Sequence, residues 1–356
     1  MHDTNKRGHG ITIFDVAEEA GVSYSTVSRV VNNKGYVSEE KRERVLRAMT
    51  QLGYVVNMQA RSLAGGRTNV VGLLVHGLNT SYIGEIVKGI DNALDQANYD
   101  LMLYTTHRRK TRESAYVTKL TRNAVDGLLL VLPRNAAAYL ETLDQHHFPH
   151  VLLDHEGFID NKSAPAVSAM NRKGAYEATH YLLQLGHRRI GFITGMMDTG
   201  CAQERLEGYK SALQDQGLPV IPELIREGDF MQPMGYTCAH ALLSLAQPPT
   251  AIFVSSDLMA FGVMEAARDR SLQIPRDISI VGFDDIPQAD HVHPPLTTVR
   301  QPLEEMGRVA ARLLLSYIEN PGRPIERVEL PTKLIIRESC QAPRTEDALH
   351  EIAKDA

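Results

Sequence analysis

Polar side chains able to bind nucleic acid are concentrated between residues 23 and 32, in the segment SYSTVSRVVN. At helical spacing, Ser25, Ser28 and Arg29 face away from Val27 and Val30. Hydroxyl, amide and guanidinium groups of this kind donate to DNA phosphates and to base edges in a major groove. The pattern predicts a DNA-reading face, and its candidate residues, including one at the start of the preceding segment, are Thr12, Ser23, Tyr24, Ser25, Thr26, Ser28, Arg29 and Asn32.

The residues around this face predict a helix-turn-helix. Thr12 followed by Asp15 forms a capping-box pattern for a first helix, and Ser23 is a suitable cap for a second. Gly21 falls in the turn between them, where a positive φ costs little for glycine. An alternative is a plain helical hairpin with a solvated face, but the apolar seam supports the first interpretation: Val16, Ala17, Ala20, Val22, Val27 and Val30.

A third helix is predicted after the loop at 32–35. Ser38 is its expected N-cap and Gly53 its expected C-cap. Its inner face would consist of Val45, Met49 and Leu52. The three helices together predict an all-α DNA-binding head over residues 1–54.

The charge of the chain is unevenly distributed. The 356 residues carry a formal charge of −5, which by itself would not suggest a nucleic-acid partner. Residues 1–67, however, hold ten Lys or Arg against seven Asp or Glu, a charge of +3, so the remainder carries −8. A basic head on an acidic body is typical of a DNA-binding module joined to a domain that does not touch DNA.

Several other classes of protein are disfavoured. Cys201, Cys238 and Cys340 are too far apart to form a CxxC pair, which argues against a zinc site or a disulfide framework. Residues 1–10 lack the apolar core of a signal peptide, and no apolar run has the length of a membrane span. No nucleophile elbow, phosphate loop or metalloprotease motif is present. We therefore expect a cytoplasmic protein with no metal, no cofactor and no enzymatic activity.

From residue 69 onward, apolar strand-like runs alternate with amphipathic helices. Strands that are apolar throughout belong to parallel sheets covered by helices on both faces. Two sets of such strands predict an α/β core of two doubly wound lobes. The first set is Val70–Val75, Leu101–Tyr104, Gly127–Leu132 and Val151–Asp154, and the second is Ile190–Thr194, Ala251–Ser255 and Ile278–Phe283.

Three segments, DVAEEAGVSYSTVSRVVNN, VSEEKRERVLRAMTQLGY and ARSLAGG, closely resemble the lactose/galactose repressor (LacI/GalR) family, and the likeness extends over about residues 11–340. The resemblance implies a hinge at 55–67 that folds on DNA and pairs with a second hinge in the minor groove. Leu63 would be the apolar wedge that kinks the duplex. Val56 stands where the family usually has proline. The other hinge residues expected at the DNA are Asn57, Ala60 and Arg61.

The layout of the core resembles the periplasmic sugar-binding-protein fold, in which the chain crosses between lobes three times. We expect the crossings near residues 167, 296 and 326, after which Val328–Ile336 would return to the second lobe. The resulting division is 68–340 for the core, with lobe 1 at about 68–167 and 297–326, lobe 2 at about 168–296 and 327–340, and a polar tail at 341–356.

Residues at the carboxyl ends of the predicted strands are the candidates for a ligand site in the cleft. A carboxylate accepts two hydroxyl hydrogens and arginine donates in a fork, so Asp284 with Arg205 suits a sugar or polyol. The alternatives are a helix cap for Asp284 and a lobe-stabilising ion pair for Arg205. We expect Asp257 to cap its helix. The resemblance implies effector contacts by Asp284 and Arg205 and a pocket lined by Tyr82, Asp154 and Ser256. We add His76, which follows the first strand.

The resemblance implies a homodimeric regulator that binds a palindromic double-stranded operator, most simply a repressor of carbohydrate-utilisation genes released by a sugar. An alternative keeps the fold but uses a purine or another metabolite as co-repressor. A transport-type binding protein and a Rossmann-like enzyme are weaker alternatives. Helices predicted at 81–98 and 111–123 are our candidates for the dimer interface, and no membrane partner is expected.

Overall fold

We describe a computed structural model of the chain over residues 11–31, 35–54, 67–122, 124–134, 136–154 and 164–344. The chain divides into two units, residues 1–68 and 69–356. The predicted hinge contacts Asn57, Ala60, Arg61 and Leu63, and also Asn32, lie outside the described residues. In the described ranges, none of the helices combines the length and hydropathy needed to span a lipid bilayer.

The first unit contains the predicted helix-turn-helix and a third helix. The helices are α1 (Ile13–Ala20), α2 (Tyr24–Val31) and α3 (Glu39–Leu52). Val16, Val27 and Val45 are fully buried where the three helices meet.

The predicted caps of α1 and α2 are confirmed. Thr12 and Asp15 form a reciprocal capping box, and Ser23 Oγ accepts the Thr26 N–H at 3.3 Å. Gly21 has φ +61° in the turn. The prediction for α3 was partly wrong: Ser38 occupies the N-cap position but its side chain makes no capping hydrogen bond, whereas Gly53 ends the helix in the left-handed conformation as expected.

The second unit contains two six-stranded sheets, and the first of these is entirely parallel. This first lobe comprises β1 (Val70–Val75), α4 (Ser81–Gln96), β2 (Asp100–Thr105), α5 (Lys110–Leu120), β3 (Gly127–Val131), α6 (Ala137–Gln145), β4 (His150–Leu153), β5 (Ala166–Ala169), α11 (Leu303–Glu319) and β11 (Arg327–Leu330). Its strand order is β11-β5-β4-β3-β1-β2. Helices α4 and α11 cover one face, and α5 and α6 cover the other.

The second lobe comprises α7 (Asn171–Gln184), β6 (Ile190–Ile193), α8 (Gly200–Asp215), β7 (Ile225–Arg226), α9 (Gln232–Leu243), β8 (Ala251–Val254), α10 (Asp257–Asp269), β9 (Ser279–Asp284), β10 (Thr297–Arg300) and β12 (Lys333–Ile335). Its sheet has the order β12-β10-β9-β8-β6-β7 and is parallel except for β12, which runs antiparallel to β10. Helices α7 and α8 cover one face and α9 and α10 the other. The predicted core of two doubly wound lobes is therefore confirmed.

The crossings between lobes fall near residues 170, 302 and 331, three to six residues later than predicted. The expected return of the whole run Val328–Ile336 to the second lobe was wrong. Its first part, β11, extends the first sheet beside β5, and only β12 pairs with β10 in the second. Both edge strands are short and similar in composition, so their apolar pattern does not distinguish one sheet from the other.

Helices α4 and α11 cross with their backbones in close contact. A Cβ on Gly307 would lie 2.1 Å from the carbonyl oxygen of Ile86, and one on Gly89 would lie 1.9 Å from that of Glu304. Only glycine permits this approach, because the obstructing atoms are backbone and do not move aside as a flexible side chain would. The crossing holds α11, which returns from the second lobe, against the first sheet.

Replacing Gly307 by alanine is therefore expected to lower the free energy of unfolding by about 1–3 kcal/mol, the usual cost of overpacking. The control is Gly84→Ala in α4, where a Cβ would meet nothing within 4 Å. That change should be neutral or stabilising by roughly 0.5–1 kcal/mol, because alanine favours helix. Thermal unfolding followed by circular dichroism measures both, and equal melting temperatures for the two variants would contradict the account.

Candidate functional site

The polar residues predicted at the start of α2 form a connected group. The Ser23 hydroxyl lies 2.9 Å from both the Ser25 and the Thr26 hydroxyls. Tyr24 is exposed and its ring stacks on that of Phe14, with centroids 5.0 Å apart and planes at 19°. The sequence analysis did not identify Phe14, whose side chain is 66% exposed, because exposure cannot be read from its position in the sequence.

The remaining described members of the predicted DNA-reading face differ in accessibility. Arg29, on the second turn of α2, is exposed, whereas Ser28 and Thr26 are partly buried. Thr12 is exposed, but its hydroxyl and backbone N–H both donate to Asp15 at 2.7 Å. The exposed set at this end of the head is thus rich in hydroxyl and guanidinium donors, which suits contact with phosphates and base edges.

In the second unit, the Arg205 guanidinium lies at the floor of a cleft between the lobes. It is only 2% exposed and stacks over the Phe283 ring, with 3.9 Å between its central carbon and the ring centroid. Its Nε donates to Asn171 Oδ1 at 2.9 Å, and Nη1 donates to the Ser255 carbonyl. A buried charge requires such hydrogen bonds and a nearby counter-charge.

Two carboxylates, one from each lobe, supply that counter-charge. Asp154 follows β4, and its Oδ2 lies 3.9 Å from Arg205 Nη2. Asp284 ends β9, and its Oδ1 lies 3.8 Å from Arg205 Nη1. Asp154 accepts from the Tyr82 hydroxyl at 2.8 Å and from the Asn171 amide at 3.0 Å. The Gln301 amide donates to Asp284 at 2.7 Å.

Both carboxylates are carried on left-handed backbone. Asp154 has φ +52° and Asp284 has φ +122°. This conformation is costly for residues other than glycine and concentrates at functional sites. It turns each side chain at the end of its strand, towards the space between the two sheets.

Burial and charge shift the acidity of this group. The pKa of Asp284 is raised to about 7 by burial, opposed by Arg205 and the Gln301 hydrogen bond. Burial also raises the pKa of the Tyr82 hydroxyl, and the adjacent Asp154 adds to the effect. At neutral pH the site therefore contains an Asp284 carboxyl close to its titration midpoint.

The assignment of the helix cap at α10 was wrong. Ser256, and not Asp257, caps this helix, because its hydroxyl accepts the Met259 N–H at 3.3 Å. Asp257 instead accepts from Thr298 Oγ1 and from the Ile286 N–H, beneath the cleft. Burial and the neighbouring Asp284 raise the pKa of Asp257.

All six residues predicted to bind an effector line a single cavity. Its open volume is about 40 Å³, well below the roughly 300–1,000 Å³ usual for small-molecule sites, so a bound sugar would require the lobes or the lining side chains to move apart. The structural alternatives stay open, because Asp284 accepts a hydrogen bond from the backbone of Asp257, the first residue of α10, and Arg205 makes ion pairs with both acids. Contact with an effector stays a prediction for these six: His76, Tyr82, Asp154, Arg205, Ser256 and Asp284.

The cavity also contains residues that the sequence analysis missed. Arg108 and Arg134 come from the loops after β2 and β3, and Phe230 comes from the second lobe. Burial, Arg108 and Arg134 together lower the pKa of His76 to about 4, so its ring is neutral at physiological pH. Arg108 and Arg134 each follow a predicted strand, so their place at a strand end was a signal for the cavity. The predicted site residues came from the ends of other strands.

Polar contacts join the two lobes around the mouth of the cavity. Asp198 of the second lobe pairs with Arg134 and with Lys110, whose Nζ lies 3.1 Å away. Arg108 donates to the Asp229 carbonyl at 2.8 Å. A small molecule in the cavity would therefore touch groups whose positions depend on how the lobes are arranged.

Comparison with known proteins identifies both units. Residues 12–57 match bacterial regulatory proteins of the lacI family, and residues 179–340 match a periplasmic binding protein-like domain. The HTH-type transcriptional repressor PurR of Edwardsiella ictaluri (strain 93-146) is 36% identical over 329 residues, covering 92% of this chain and 96% of that protein.

Solved structures agree with this match. A lac repressor dimer bound to operator and the anti-inducer ONPF has 30% identity and a TM-score of 0.81, covering 94% of this chain and 100% of that one. A complex of the transcriptional regulator CelR with cellobiose has 34% identity and a TM-score of 0.70, covering 92% and 99%. On this evidence the chain belongs to the LacI family: it is a DNA-binding transcriptional regulator and not an enzyme.

Proposed function

We propose that the chain is a homodimeric repressor whose affinity for a palindromic operator is controlled by a sugar bound between the two lobes of its core. The observation that carries this proposal is the buried Arg205 between Asp154 and Asp284 in the inter-lobe cavity. Paired carboxylates and a forked donor around one cavity suit the hydroxyl groups of a carbohydrate.

The relatives support the two halves of the proposal separately. A related lac repressor dimer is seen on operator DNA, which favours a dimer and an operator for this chain. The related CelR is seen with cellobiose, which favours a carbohydrate in the cleft. The proposed dimer surface is the exposed side of α4 and α5, at the helices expected at 81–98 and 111–123.

The proposed control is a linkage between two binding events. Asp154 belongs to the first lobe, and Arg205 and Asp284 belong to the second. A ligand that contacts all three binds best to one arrangement of the lobes and so shifts the population towards it. If that arrangement disfavours paired heads on DNA, operator affinity falls, and DNA weakens effector binding by the same factor.

A second candidate is a co-repressor such as a purine, which would strengthen DNA binding. The aromatic ring of Phe230 at the cavity favours this possibility, since such a ring can stack on a planar base. The candidates differ in the sign of the ligand's effect on DNA affinity.

Fluorescence anisotropy on a palindrome from the chain's own promoter, titrated with sugars and purines, tests the proposal. We expect one sugar to release the operator. A purine that strengthens binding would establish the second candidate, and binding that no small molecule alters would exclude both.

The DNA-reading face is tested with Arg29→Ala in the full chain. We expect operator affinity at fixed salt to fall about tenfold or more, because a specific base contact contributes about 1–3 kcal/mol. Arg47→Ala removes the same charge from the exposed face of α3 and is the matched control. Equal losses in the two variants would leave only general electrostatic attraction, contrary to the proposed role of Arg29.

The raised pKa of Asp284 predicts pH-dependent effector binding. The ionised carboxylate accepts two hydroxyl hydrogens, so affinity for the releasing sugar should rise about tenfold as pH increases through about 7, between pH 6 and 8. His76 does not contribute over this interval, because its pKa is about 4.

Calorimetric titration with Asp284→Asn is the control, and this variant should bind weakly with a flat pH profile. The same group also affects folding: its native pKa lies above its ordinary value of 3.8, so its stabilising contribution is complete below about pH 4 and is lost as pH rises through 7. A wild-type binding profile that is flat from pH 6 to 8 would contradict the proposed contact.

A further inference from the structure

The first-lobe wall of the cavity carries more positive charge than a neutral sugar requires. Arg108 and Arg134 supply this charge, and the neutral ring of His76 lines the wall beside them. The guanidinium of Arg134 already has a counter-ion, since its Nε donates to Asp198 at 3.1 Å. That single carboxylate also serves Lys110, so one negative charge is shared between two cations.

Arg108 is bonded differently. Its Nη1 donates to the backbone carbonyl of Asp229 at 2.8 Å and lies 3.9 Å from the sulfur of Met196, and both acceptors are neutral. In the part of the chain that the structure describes, no carboxylate lies within 4.0 Å of this guanidinium. The Asp229 carboxylate attracts it from farther away while accepting the Met231 N–H at 2.8 Å.

The backbone that presents Arg108 is held in an uncommon conformation. His107 and Arg108 are consecutive left-handed residues, with φ of +50° and +60°. His107 Nε2 lies 3.0 Å from Thr105 Oγ1, which ties the turn to the end of β2. Two successive left-handed residues other than glycine are costly, and such conformations concentrate where a side chain must be positioned for function.

The electrostatic environment agrees with this geometry. Burial lowers the pKa of Arg108, and the neighbouring Arg134 acts in the same direction. The two arginines also help to keep His76 neutral. An anion placed between these groups would relieve the repulsion and would accept the remaining donors of the Arg108 fork.

We propose that Arg108 binds an acidic group of the effector, so that the ligand is a sugar carrying a phosphate or a carboxylate. This inference rests on the proposed function, because it specifies the ligand of the same cavity. In this arrangement the hydroxyl groups of the sugar lie at the end of the cavity formed by Asp154, Arg205 and Asp284. The acidic group of the sugar lies at the end formed by Arg108. Phosphate and carboxylate share the geometry that a guanidinium recognises in a forked manner.

The test is calorimetric titration of the full-length protein with matched probes: glucose, glucose 6-phosphate, glucuronate, ribose, ribose 5-phosphate and inorganic phosphate. We expect one acidic sugar to bind at least 30-fold more tightly than its neutral parent. If a sugar phosphate binds most tightly, the acidic group that Arg108 recognises is a phosphate. If glucuronate binds most tightly, that group is a carboxylate.

Arg108→Gln should weaken that acidic ligand 10- to 100-fold, the range of a lost charge-assisted hydrogen bond. Glutamine removes the charge but is two bonds shorter than arginine, so the hydrogen bond to the Asp229 carbonyl is lost as well, and the affinity for the neutral parent sugar reports any effect of that loss. Arg109→Gln is the matched control, because Arg109 is exposed, adjacent and absent from the cavity lining. The affinity of the Arg109→Gln variant for every probe should be within twofold of wild type. Both variants should have the melting temperature of the wild type.

The possible failures are distinct. A neutral sugar that binds as tightly as its acidic derivative, with Arg108→Gln equal to Arg109→Gln, overturns the acidic ligand and leaves the proposed function standing. Absence of binding by every acidic probe also overturns it. Operator binding that no sugar or purine alters, measured by anisotropy, removes the proposed function as well.

Discussion

The cleft depends on one constraint, the burial of the Arg205 charge. A guanidinium 2% exposed needs compensation from every side, because an uncompensated buried charge costs about 3–5 kcal/mol. Asn171, Ser255, Asp154 and Asp284 provide it from four different elements, and Phe283 supports the planar face. Satisfying this one side chain therefore requires both lobes to place their strand ends around it.

The fold can meet this requirement because parallel strands end at the same edge of a sheet. Asp154 follows β4 and Asp284 ends β9, so the two sheets present one acid each to the shared space. Both acids have a positive φ and both line that space. Arg108, after β2, is a third residue of the cavity lining with a positive φ.

Much of this arrangement could be predicted from local pattern. The caps of α1 and α2, the turn at Gly21 and the apolar strands are encoded within a few residues, so short windows reveal them. The positions of the lobe crossings are not encoded locally. Strands β11 and β12 lie in one apolar stretch of sequence, and only their pairing with distant strands assigns them to different sheets. Serine and aspartate are equally good N-cap residues, so residue type does not distinguish Ser256 from Asp257. The distinction comes from the hydrogen bonds that Thr298 and Ile286 donate to the Asp257 carboxylate.

The distribution of the proposed effector contacts between lobes also determines how far an effector can shift the lobe arrangement. Reversing a 1:99 population requires about 5.5 kcal/mol of differential affinity. Hydrogen bonds to charged groups contribute about 1.5–3 kcal/mol each, so two to four that exist in only one lobe arrangement are sufficient. The cavity offers this number, with Asp154 and Arg108 in one lobe and Arg205 and Asp284 in the other. A ligand held by a single lobe would bind both arrangements equally and would shift nothing, however tight its binding.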